Sequence, residues 1–334
     1  MILVTGGTGL VGSHLLLQLV KNGNCVRAIH RKKSNLNQVL KIFSNYTEKA
    51  EELFKQIEWQ EADINDIPAL EQAFLGITHV YHCAALISFD PKDYHKLKES
   101  NVYGTANIVN LCLANAIKKL CYVSTIGTIG KSINGKMATE DSDWSETNAN
   151  VYALMKQKAE MEVWRGSQEG LSVVMVNPGV IIGPTKWNQG SGMLFSTAYK
   201  GFNFYPPGGT GFVAVHDVVR ILILLMESSI INERYIIVAE NLSYQEILKK
   251  VSNALGKKPP RKKLKIWQLK IFRLADFCRS KLTGKQRKIT RNSIHSFQNR
   301  QFFENKKIKK DLTFEFEKLT ETINFTAECF LREN

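Results

Sequence analysis

Short apolar runs alternate with longer segments of helical periodicity through the first half of the chain. The apolar runs cover residues 2–5, 25–30, 57–62, 79–84, 120–124 and 171–177. The segments with helical periodicity cover residues 11–21, 67–74, 101–116 and 152–166. In the first of these, Leu15, Leu16, Leu19 and Val20 form one apolar face. Short apolar strands separated by helices are typical of a parallel sheet that is covered on both faces. The pattern therefore predicts an α/β fold with a doubly wound, Rossmann-like parallel sheet.

The alternation becomes irregular after Pro178. Residues 184–211 are rich in Gly, Asn, Tyr and Pro and are predicted to be loops. Residues 213–226 and 234–238 are predicted to be a helix and a strand that return to the sheet, and the chain from about residue 240 onward is predicted to be helical and basic. We therefore expect a Rossmann domain of residues 1–178, to which 212–239 return. Residues 179–211 and 240–334 are expected to form a smaller, mostly helical C-terminal lobe.

The positive charge of the chain is concentrated in one segment. The chain has 334 residues, 44% of them hydrophobic, and a formal net charge of +14. Residues 257–310 hold 19 Lys and Arg against two acids, Asp276 and Glu304, so this segment has a net charge of +17 and the rest of the chain −3. The length and the hydrophobic content predict a globular protein with a large core rather than a disordered chain.

The apolar segments and the cysteines indicate a cytoplasmic protein. The longest apolar run, residues 218–225, contains Arg220 and is too short for a membrane span, which needs about 20 residues. No signal peptide is expected, because the apolar residues at the N-terminus already fit a buried strand. The six cysteines contain no CxxC pair, so we expect reduced, mostly buried thiols and no metal site.

A glycine-rich loop lies between the first predicted strand and the first predicted helix. It reads Thr5-Gly6-Gly7-Thr8-Gly9-Leu10-Val11-Gly12. Gly6 permits a tight turn, Gly9 allows the backbone to approach a pyrophosphate, and Gly12 allows the helix to pack closely on the strand. The N-terminus of the helix supplies free N–H groups and a positive dipole. The context favours dinucleotide binding over a purely structural strand-to-helix turn.

Two further positions concern which dinucleotide is bound. The second strand ends in His30 and is followed by Arg31, Lys32 and Lys33. Basic residues at this position suit the 2′-phosphate of NADP, whereas an acid would suit the ribose of NAD; the alternative is a solvated basic loop. Asp63 follows the third strand and could accept a hydrogen bond from adenine, although it could instead cap a helix, a role that Asn65 or Asp66 fits equally well.

Tyr152 and Lys156 form a candidate catalytic pair. They are four residues apart, on one face of a predicted helix. A nearby ammonium favours the phenolate, so we expect Lys156 to lower the pKa of Tyr152 and make it a general acid/base near neutral pH. Thr125 follows the fifth strand, where side chains of a parallel sheet face the ligand crevice. A solvated helix face and a simple turn are the alternatives for these residues.

Together these motifs resemble the extended short-chain dehydrogenase/reductase superfamily, the NAD-dependent epimerase/dehydratase family. The resemblance rests on the glycine loop, Asp63, His82-Cys83-Ala84-Ala85, Asn101-Val102-Tyr103-Gly104-Thr105, Thr125, Tyr152 with Lys156, and Pro178-Gly179. Residues 26–31 and 124–128 are most similar to the dihydroflavonol-4-reductase-like branch, and residues 212–218 resemble the segment in which these proteins return to the sheet.

The resemblance implies an NAD(P)-binding domain, a substrate-binding lobe and a set of site residues. The catalytic residues would be Thr125, Tyr152 and Lys156. The implied cofactor-binding residues are Thr5, Gly6, Thr8, Gly9, Leu10, Val11, Gly12, Arg31, Lys32, Asp63, Ile64, Cys83, Ala84, Ala85, Tyr152, Lys156, Pro178, Gly179 and Val180. Thr125 replaces the more usual Ser, and Ile126 and Gly127 stand where many sugar dehydratases have acids, which argues against dehydration.

The function expected from the resemblance is an oxidoreductase that reduces a carbonyl or oxidises a secondary alcohol by hydride transfer. NADP is the preferred cofactor, with NAD as the alternative. Two other functions stay open: a nucleotide-sugar epimerase with tightly bound NAD, and a non-catalytic NADP-binding sensor or membrane-surface protein. The segments expected to line the substrate pocket, residues 86–95, 127–145 and 184–212, carry aromatic and polar residues that suit a sugar, a flat ring or a sterol-like ligand.

The basic segment contains an amphipathic pattern. Leu264, Trp267, Ile271, Leu274 and Cys278 fall on one helical face, and Lys263, Lys265, Lys270, Arg273 and Arg279 surround it. We expect this face to pack on the protein, as amphipathic helices usually do. Peripheral contact of residues 257–310 with an anionic membrane, or with a phosphorylated substrate, is the alternative. No nucleic-acid partner is expected, because no known binding motif is present. A homodimer is kept open beside a monomer.

Overall fold

A computed structural model describes residues 1–131, 137–147, 149–283, 294 and 297–334. The predicted pocket segment 127–145 and the basic segment 257–310 therefore lie partly outside the described residues. Twelve strands are described: β1 Ile2–Thr5, β2 Val26–His30, β3 Ile57–Glu61, β4 His79–His82, β5 Lys119–Val123, β6 Val173–Pro178, β7 Val180–Ile182, β8 Phe204–Tyr205, β9 Gly209–Ala214, β10 Glu233–Ile237, β11 Glu240–Ser243 and β12 Lys262–Lys263.

Helices connect and flank these strands. The α-helices of the described residues are α1 Leu10–Lys21, α2 Asn37–Ser44, α3 Ala50–Lys55, α4 Ile67–Phe74, α5 Tyr94–Leu97, α6 Gly104–Ala114, α7 Val151–Gln168, α8 Gly192–Tyr199, α9 Val215–Glu227, α10 Tyr244–Ala254, α11 Ile266–Thr283, α12 Lys306–Leu312 and α13 Leu319–Glu333. Short 3₁₀ turns cover Pro91–Asp93 and Ile126–Thr128. The predicted helix 101–116 is in fact two pieces, because a π-helical segment, Lys98–Tyr103, precedes α6.

The central sheet has seven strands in the order β10-β6-β5-β4-β1-β2-β3, and every pair within it is parallel. The reversal of strand order beside β1 makes the sheet doubly wound. Side chains alternate between its two faces: Val4, Tyr81 and Cys121 belong to one buried cluster, whereas their neighbours Leu3, Val80 and Leu120 belong to the other. The predicted Rossmann-like α/β fold is thus confirmed. Because both faces are covered, the strands read as continuous apolar runs.

A second, three-stranded sheet in the order β11-β9-β7 lies beyond the central sheet. Residues 213 and 214, predicted to begin a helix, are extended and pair with β7, so α9 begins only at Val215. Residues 212–239 were expected to return to the central sheet. The part that pairs there is β10, Glu233–Ile237, which lies alongside β6. The predicted loops at 184–211 contain α8, β8 and the start of β9, and the chain after residue 240 opens with strand β11. Apolar periodicity over so few residues does not separate a buried strand from a helix.

Helices α10 and α13 cover the second sheet and form its core. This core contains Ile182, Phe195, Phe212, Ile247, Val251, Leu319, Ile323 and Phe330. Cys112, Cys121 and Cys329 are buried, Cys83 is half-buried, and Cys25 and Cys278 are exposed, so fewer thiols are buried than expected. Among the helices of the described residues, none is both long enough and apolar enough to cross a membrane.

Candidate functional site

The glycine loop joins β1 to α1 at the C-terminal edge of the central sheet. Gly6 has φ +70°, and a Cβ there would lie 2.6 Å from the backbone nitrogen of Ala84. A Cβ on Gly12 would overlap the carbonyl oxygen of Gly6. Glycine is therefore required at both positions, at Gly6 by the left-handed conformation and at Gly12 by the close approach of the helix to the loop.

The N-terminus of α1 is free to receive an anion. Its N-cap residue is Gly9, which offers no side-chain cap, and the first turn contains no acid. Among the described residues, no backbone carbonyl outside the helix accepts a hydrogen bond from the N–H of Leu10, Val11 or Gly12. Thr8 and Leu10 at the rim are partly exposed. Free N–H groups and the positive end of the helix dipole fit the pyrophosphate of a dinucleotide.

A chain of buried polar side chains runs behind this loop. The hydroxyl of Thr5 lies 2.7 Å from Nδ1 of His82, and Nε2 of His82 lies 3.0 Å from the hydroxyl of Thr105. Thr105 donates its proton to the carbonyl of Asn101 at 2.6 Å, so toward His82 its oxygen can only accept. We therefore assign the Nε2–H tautomer to His82. Burial, with Lys156 nearby, lowers its pKa to about 3 and keeps the ring neutral.

The chain continues to Lys156 through Tyr122. The Tyr122 ring lies beside that of His82, with the ring centres 5.4 Å apart. Nζ of Lys156 donates to the hydroxyl of Tyr122 at 2.6 Å and to the carbonyl of Val123 at 2.8 Å. The ammonium also lies 4.1 Å from the centre of the Tyr122 ring. Lys156 is thereby held in a fixed position on the inner side of α7.

The residues that follow β4 are fixed by the same elements. Thr5 accepts a hydrogen bond from the N–H of Ala84 through its hydroxyl at 3.2 Å. The amide side chain of Asn101 pairs with both the carbonyl and the N–H of Leu86, at 2.9 and 2.7 Å. Cys83 interacts electrostatically with Lys156, and burial raises the pKa of its thiol to about 12. Residues 83–85 therefore lie between the glycine loop and Lys156.

The residues predicted to contact the rest of the dinucleotide lie along the same edge. Arg31 and Lys32 follow β2 and are exposed. Asp63 follows β3 and accepts the N–H of Asn65, so it forms a local turn. The N-cap of helix α4, for which the sequence offered Asn65 or Asp66, is Asp66, whose side chain accepts the N–H of Ala69 at 3.2 Å. Asp63 therefore does not cap α4.

Ile64 and the Pro178–Val180 segment have structural contacts as well. The side chain of Ile64 fills the space in which a Cβ on Gly104 would lie, within 2.7 Å of its Cγ1. Gly179 stands at the junction of the two sheets, where a Cβ would lie 2.5 Å from the carbonyl oxygen of Gly211. Pro178 ends β6 in the central sheet and Val180 begins β7 in the second one. This change of sheet places Pro178, Gly179 and Val180 at the crevice edge.

Thr125 follows β5 and caps the short turn Ile126–Thr128. Its hydroxyl accepts the N–H of Gly127 at 3.2 Å. A Cβ on Gly127 would lie 3.4 Å from Cβ of Ala153, so the turn rests on the first turn of α7, beside Tyr152. The structure therefore places the Thr125 turn against the first turn of α7, at the carboxyl end of β5. Trp144 donates from its indole to the carbonyl of Gly127 at 3.1 Å and covers this turn.

A buried carboxylate, Glu160, supports the Thr125 turn from below. One of its oxygens accepts from Ser124 at 2.5 Å, from Thr128 at 2.6 Å and from Asn177 at 2.8 Å. Asn177 also donates to the carbonyl of Thr125 at 3.1 Å, and the hydroxyl oxygen of Thr128 lies 2.7 Å from the same carbonyl. Arg234 lies 3.7 Å from the other carboxylate oxygen. Burial raises the pKa of Glu160, and these donors oppose the shift.

Tyr152 is half-buried at the start of α7. Its ring meets that of Phe89 edge-on, with the centroids 5.8 Å apart. Among the described residues no hydrogen bond is made by its hydroxyl. Burial raises its pKa, whereas we expected Lys156 to lower it. The ammonium of Lys156 does not offset this shift, because it is directed to Tyr122 and Val123. Burial also lowers the pKa of Lys156 to about 7.

The pattern of the sequence did not identify Tyr122, Glu160 or Asn177. Tyr122 lies in an apolar strand and reads as a core residue. Glu160 is four residues after Lys156, on the same face of α7, which is a signal that could have been used. Asn177 is a polar residue at the end of an otherwise apolar strand. Among the described residues, no group of three or more His, Cys, Asp or Glu could hold a metal ion.

The fold and this edge of the sheet define a dinucleotide-binding Rossmann protein with a Tyr/Lys pair beside the cofactor crevice. A family model described as the NAD dependent epimerase/dehydratase family matches residues 2–237. The chain belongs to this family and is an NAD(P)-dependent oxidoreductase of the extended short-chain dehydrogenase/reductase type. The predicted family is thereby confirmed.

Several known proteins are similar over most of the chain. A Synechocystis sp. protein named "Putative dihydroflavonol 4-reductase" is 30% identical over 271 residues, which cover 79% of this chain and 75% of that protein. Sterol demethylase protein B of Methylococcus capsulatus is 27% identical over 266 residues, covering 78% and 76%. The crystal structure of gox2253 has a TM-score of 0.82 at 28% identity and covers 100% and 98%.

More distant structures share the fold. The UDP-glucose 4-epimerase of Thermotoga maritima, solved with UDP-glucose, has a TM-score of 0.74 at 22% identity, with 99% of each chain covered.

The Glu160 network generates a prediction about stability. Glu160→Ala removes the acceptor that Ser124, Thr128 and Asn177 share, and the hydroxyl of Ser124 has no other hydrogen-bond partner among the described residues. The free energy of unfolding should therefore fall by about 3 kcal/mol. Glu160→Gln retains one oxygen and should lose less. Urea unfolding measures both effects. Glu162→Ala, on the exposed side of the same helix, is the matched control and should change stability by about 0.5 kcal/mol or less. Equal losses for the two alanine variants would show that the network has no special role.

The lowered pKa of Lys156 generates a prediction about pH. The folded protein releases this proton near pH 7, whereas the unfolded chain holds it to the ordinary lysine value of 10.5. Raising the pH between these values therefore favours the folded state. The unfolding free energy of the cofactor-free wild type, measured relative to Lys156→Met, should rise across this window by at most about 1.4 kcal/mol per pH unit. Lys158 lies on the partly exposed side of the helix, so the difference in unfolding free energy between the wild type and Lys158→Met should not change with pH in this window. A flat difference for Lys156→Met would contradict the assigned shift.

Proposed function

We propose that this protein is an NADPH-dependent reductase of a carbonyl substrate, in which Tyr152 donates the proton. The observation that carries the proposal is the position of Tyr152: it stands beside the Thr125 turn, and its hydroxyl makes no hydrogen bond among the described residues. Burial keeps this hydroxyl protonated over the neutral range. A protonated phenol without a protein partner suits donation to a substrate oxygen.

Each residue of the site has a separate role in the proposal. Tyr152 donates a proton to the carbonyl oxygen of the substrate, and Thr125 orients that oxygen through its hydroxyl. Lys156 holds the ribose of the nicotinamide nucleotide, using the donor that Tyr122 and Val123 position. The bound dinucleotide supplies the hydride. The oxygen gains the proton and the carbon gains the hydride, so the product is a secondary alcohol.

The names of relatives support reduction. The Synechocystis protein is named as a dihydroflavonol reductase, and a tetraketide alpha-pyrone reductase 2 of Arabidopsis thaliana is 26% identical over 266 residues. Phe89 adds an exposed aromatic wall beside Tyr152. A ring-bearing carbonyl compound is therefore the substrate class that we propose.

NADPH is proposed as the cofactor because of the charge after β2. Arg31 is exposed at the carboxyl end of this strand, and among the described residues its guanidinium forms no ion pair. Its backbone is held in a turn with Ser34, whose N–H donates to the Arg31 carbonyl at 2.8 Å. A guanidinium at this position can bind a 2′-phosphate through two parallel hydrogen bonds.

Removal of the proton donor tests the proposed reaction. Tyr152→Phe keeps the ring contact with Phe89 and loses only the hydroxyl, so turnover of a ring-bearing ketone should fall on the order of a thousandfold. The NADPH dissociation constant, measured by fluorescence titration, should stay nearly unchanged. Tyr94→Phe is the matched control, because Tyr94 packs in the same apolar cluster. Near-normal turnover of Tyr152→Phe would exclude the role.

The same preparation separates a reductase from an epimerase. A purified protein that releases stoichiometric NAD on denaturation, and that converts a nucleotide sugar without added cofactor, would be an epimerase. A protein that is empty after purification and consumes NADPH with a ketone would be a reductase.

Substitution of Arg31 tests the proposed cofactor preference. Arg31→Ala removes a charge-assisted contact with the 2′-phosphate, worth about 1.5–3 kcal/mol, so the affinity for NADPH should fall roughly tenfold to a hundredfold. The affinity for NADH should not change, because NADH lacks the phosphate. Lys33→Ala, two residues away and also exposed, is the control. A wild-type preference for NADH, or an unchanged NADPH affinity in Arg31→Ala, would refute the assignment.

A further inference from the structure

Helix α11 presents an apolar stripe to solvent. Trp267, Ile271, Leu274 and Leu282 are 58%, 54%, 63% and 86% exposed, and Cys278 between them is exposed as well. Successive members are three or four residues apart, so they form one continuous line along the helix. We expected the face with Leu264, Trp267, Ile271, Leu274 and Cys278 to pack on the protein. Leu264, which precedes α11, does so, but the other four residues are exposed.

The opposite face of α11 holds the helix on the protein. Leu269, Asp276 and Ser280 are buried, about half a turn away from the stripe. Leu269 belongs to a small core with Leu264, and Phe204 of β8 packs against this core. Strand β12, just before the helix, pairs with β8. Among the described side chains of α11, Leu269 is the one fully buried apolar residue and Phe277 is half-buried, while the stripe stays outside.

The surroundings of the stripe are positively charged. Lys263, Lys265, Lys270 and Lys281 are exposed at the start of α11 and along it. The helix contains one acid, Asp276, which is buried and paired with Arg279 at 2.7 Å. The exposed face of α11 therefore combines apolar side chains with cations and carries no acid. In sequence, residues 257–310 have a net charge of +17.

This combination favours one kind of partner. Apolar side chains gain from leaving water, and lysines flanking them gain from an anionic surface. The headgroup region of an anionic membrane offers both in one plane. A nucleic acid would engage the cations and leave the stripe in water. A second copy of this chain that met the stripe with its own α11 would bring like charges together.

We propose that α11 is a membrane-surface helix, which lies in the interface of an anionic phospholipid bilayer with Trp267, Ile271, Leu274, Cys278 and Leu282 toward the acyl chains. The exposed lysines contact the headgroups. Because α11 is joined to β8 through β12, the bound protein presents its second lobe to the lipid surface. This inference does not depend on the proposed reaction, since it concerns a surface outside the Tyr152 crevice.

Vesicle binding of the full-length protein tests the proposal. The protein should co-sediment with vesicles of phosphatidylcholine and phosphatidylserine at low salt, bind vesicles of phosphatidylcholine alone much more weakly, and dissociate as the salt concentration rises. The double variant Trp267→Ser/Leu274→Ser should lose at least about tenfold in affinity for these vesicles, because it removes two of the inserted side chains. Leu75→Ser is the control, since Leu75 is 59% exposed at the end of α4, away from the basic segment.

Charge is tested separately from the apolar stripe. Lys265→Glu/Lys270→Glu should weaken binding to the phosphatidylserine vesicles several-fold, whereas Lys55→Glu, an exposed lysine of α3, should not. A polarity-sensitive fluorophore on Cys278, in a Cys25→Ser background that removes the other exposed thiol, should shift to the blue on these vesicles and not on phosphatidylcholine alone. Circular dichroism checks that each variant is folded.

Three results would overturn the proposal. The first is no binding to phosphatidylserine vesicles at low salt. The second is binding that Trp267→Ser/Leu274→Ser leaves unchanged, which would mean that charge alone attracts the protein and the stripe is not inserted. The third is a combination of two observations: the wild type does not bind vesicles, and light scattering shows it as a dimer that this variant converts to a monomer. That combination would assign the stripe to contact with a second copy of the chain. Reductase activity is not a readout in any of them.

Discussion

The buried line of polar side chains from Thr5 to Lys156 is the constraint on which the site depends. A buried polar group without a partner is destabilising, so each member of this line must be placed where its neighbour can satisfy it. His82 is neutral and bridges two hydroxyls, and Lys156 ends the line against Tyr122. The line crosses strands β1, β4 and β5 and reaches helix α7. The relative positions of the glycine loop and Lys156 are therefore set by this buried line, in which the ring contact between His82 and Tyr122 joins two hydrogen-bonded pieces.

A second buried unit, centred on Glu160, does the same for the turn that carries Thr125. Its carboxylate gathers donors from β5, from the turn that carries Thr125 and from β6, so this turn cannot move without breaking several hydrogen bonds. Paired members make such a network rigid, and among the described residues the Oδ1 of Asn177 is the one buried side-chain atom of this unit without a hydrogen-bond partner. The two units share helix α7, in which Lys156 and Glu160 are one turn apart. Both sides of the crevice are thus positioned from the interior, which leaves the exposed loops, such as the one with Phe89, to define what binds.

Much of the fold could be predicted from the sequence because a parallel sheet buried on both faces leaves a strong signal. The glycine loop, the alternation of strands and helices and the Tyr/Lys spacing were each visible as local patterns. The pairing of Val213 with β7 was not, because strand pairing depends on residues distant in sequence and the apolar run that begins there continues into α9. Tyr122 was also missed, since a tyrosine in an apolar strand looks like core until its hydroxyl partner is known. In α11 the periodicity identified the apolar face correctly, but periodicity does not say which face meets the protein. Buried Asp276 and Ser280 decide that question.

The state of Lys156 changes the physical picture of the Tyr/Lys pair. An ammonium that lowers the pKa of a neighbouring phenol must direct its field at that phenol, and here it is directed at Tyr122 and at the carbonyl of Val123. Burial makes the proton of Lys156 easy to lose and that of Tyr152 hard to lose. The pair is therefore arranged as two hydrogen-bond donors rather than as an ammonium beside a phenolate. Two donors at one crevice agree with the reduction that we propose, in which one would hold a ribose hydroxyl and the other would protonate a carbonyl oxygen.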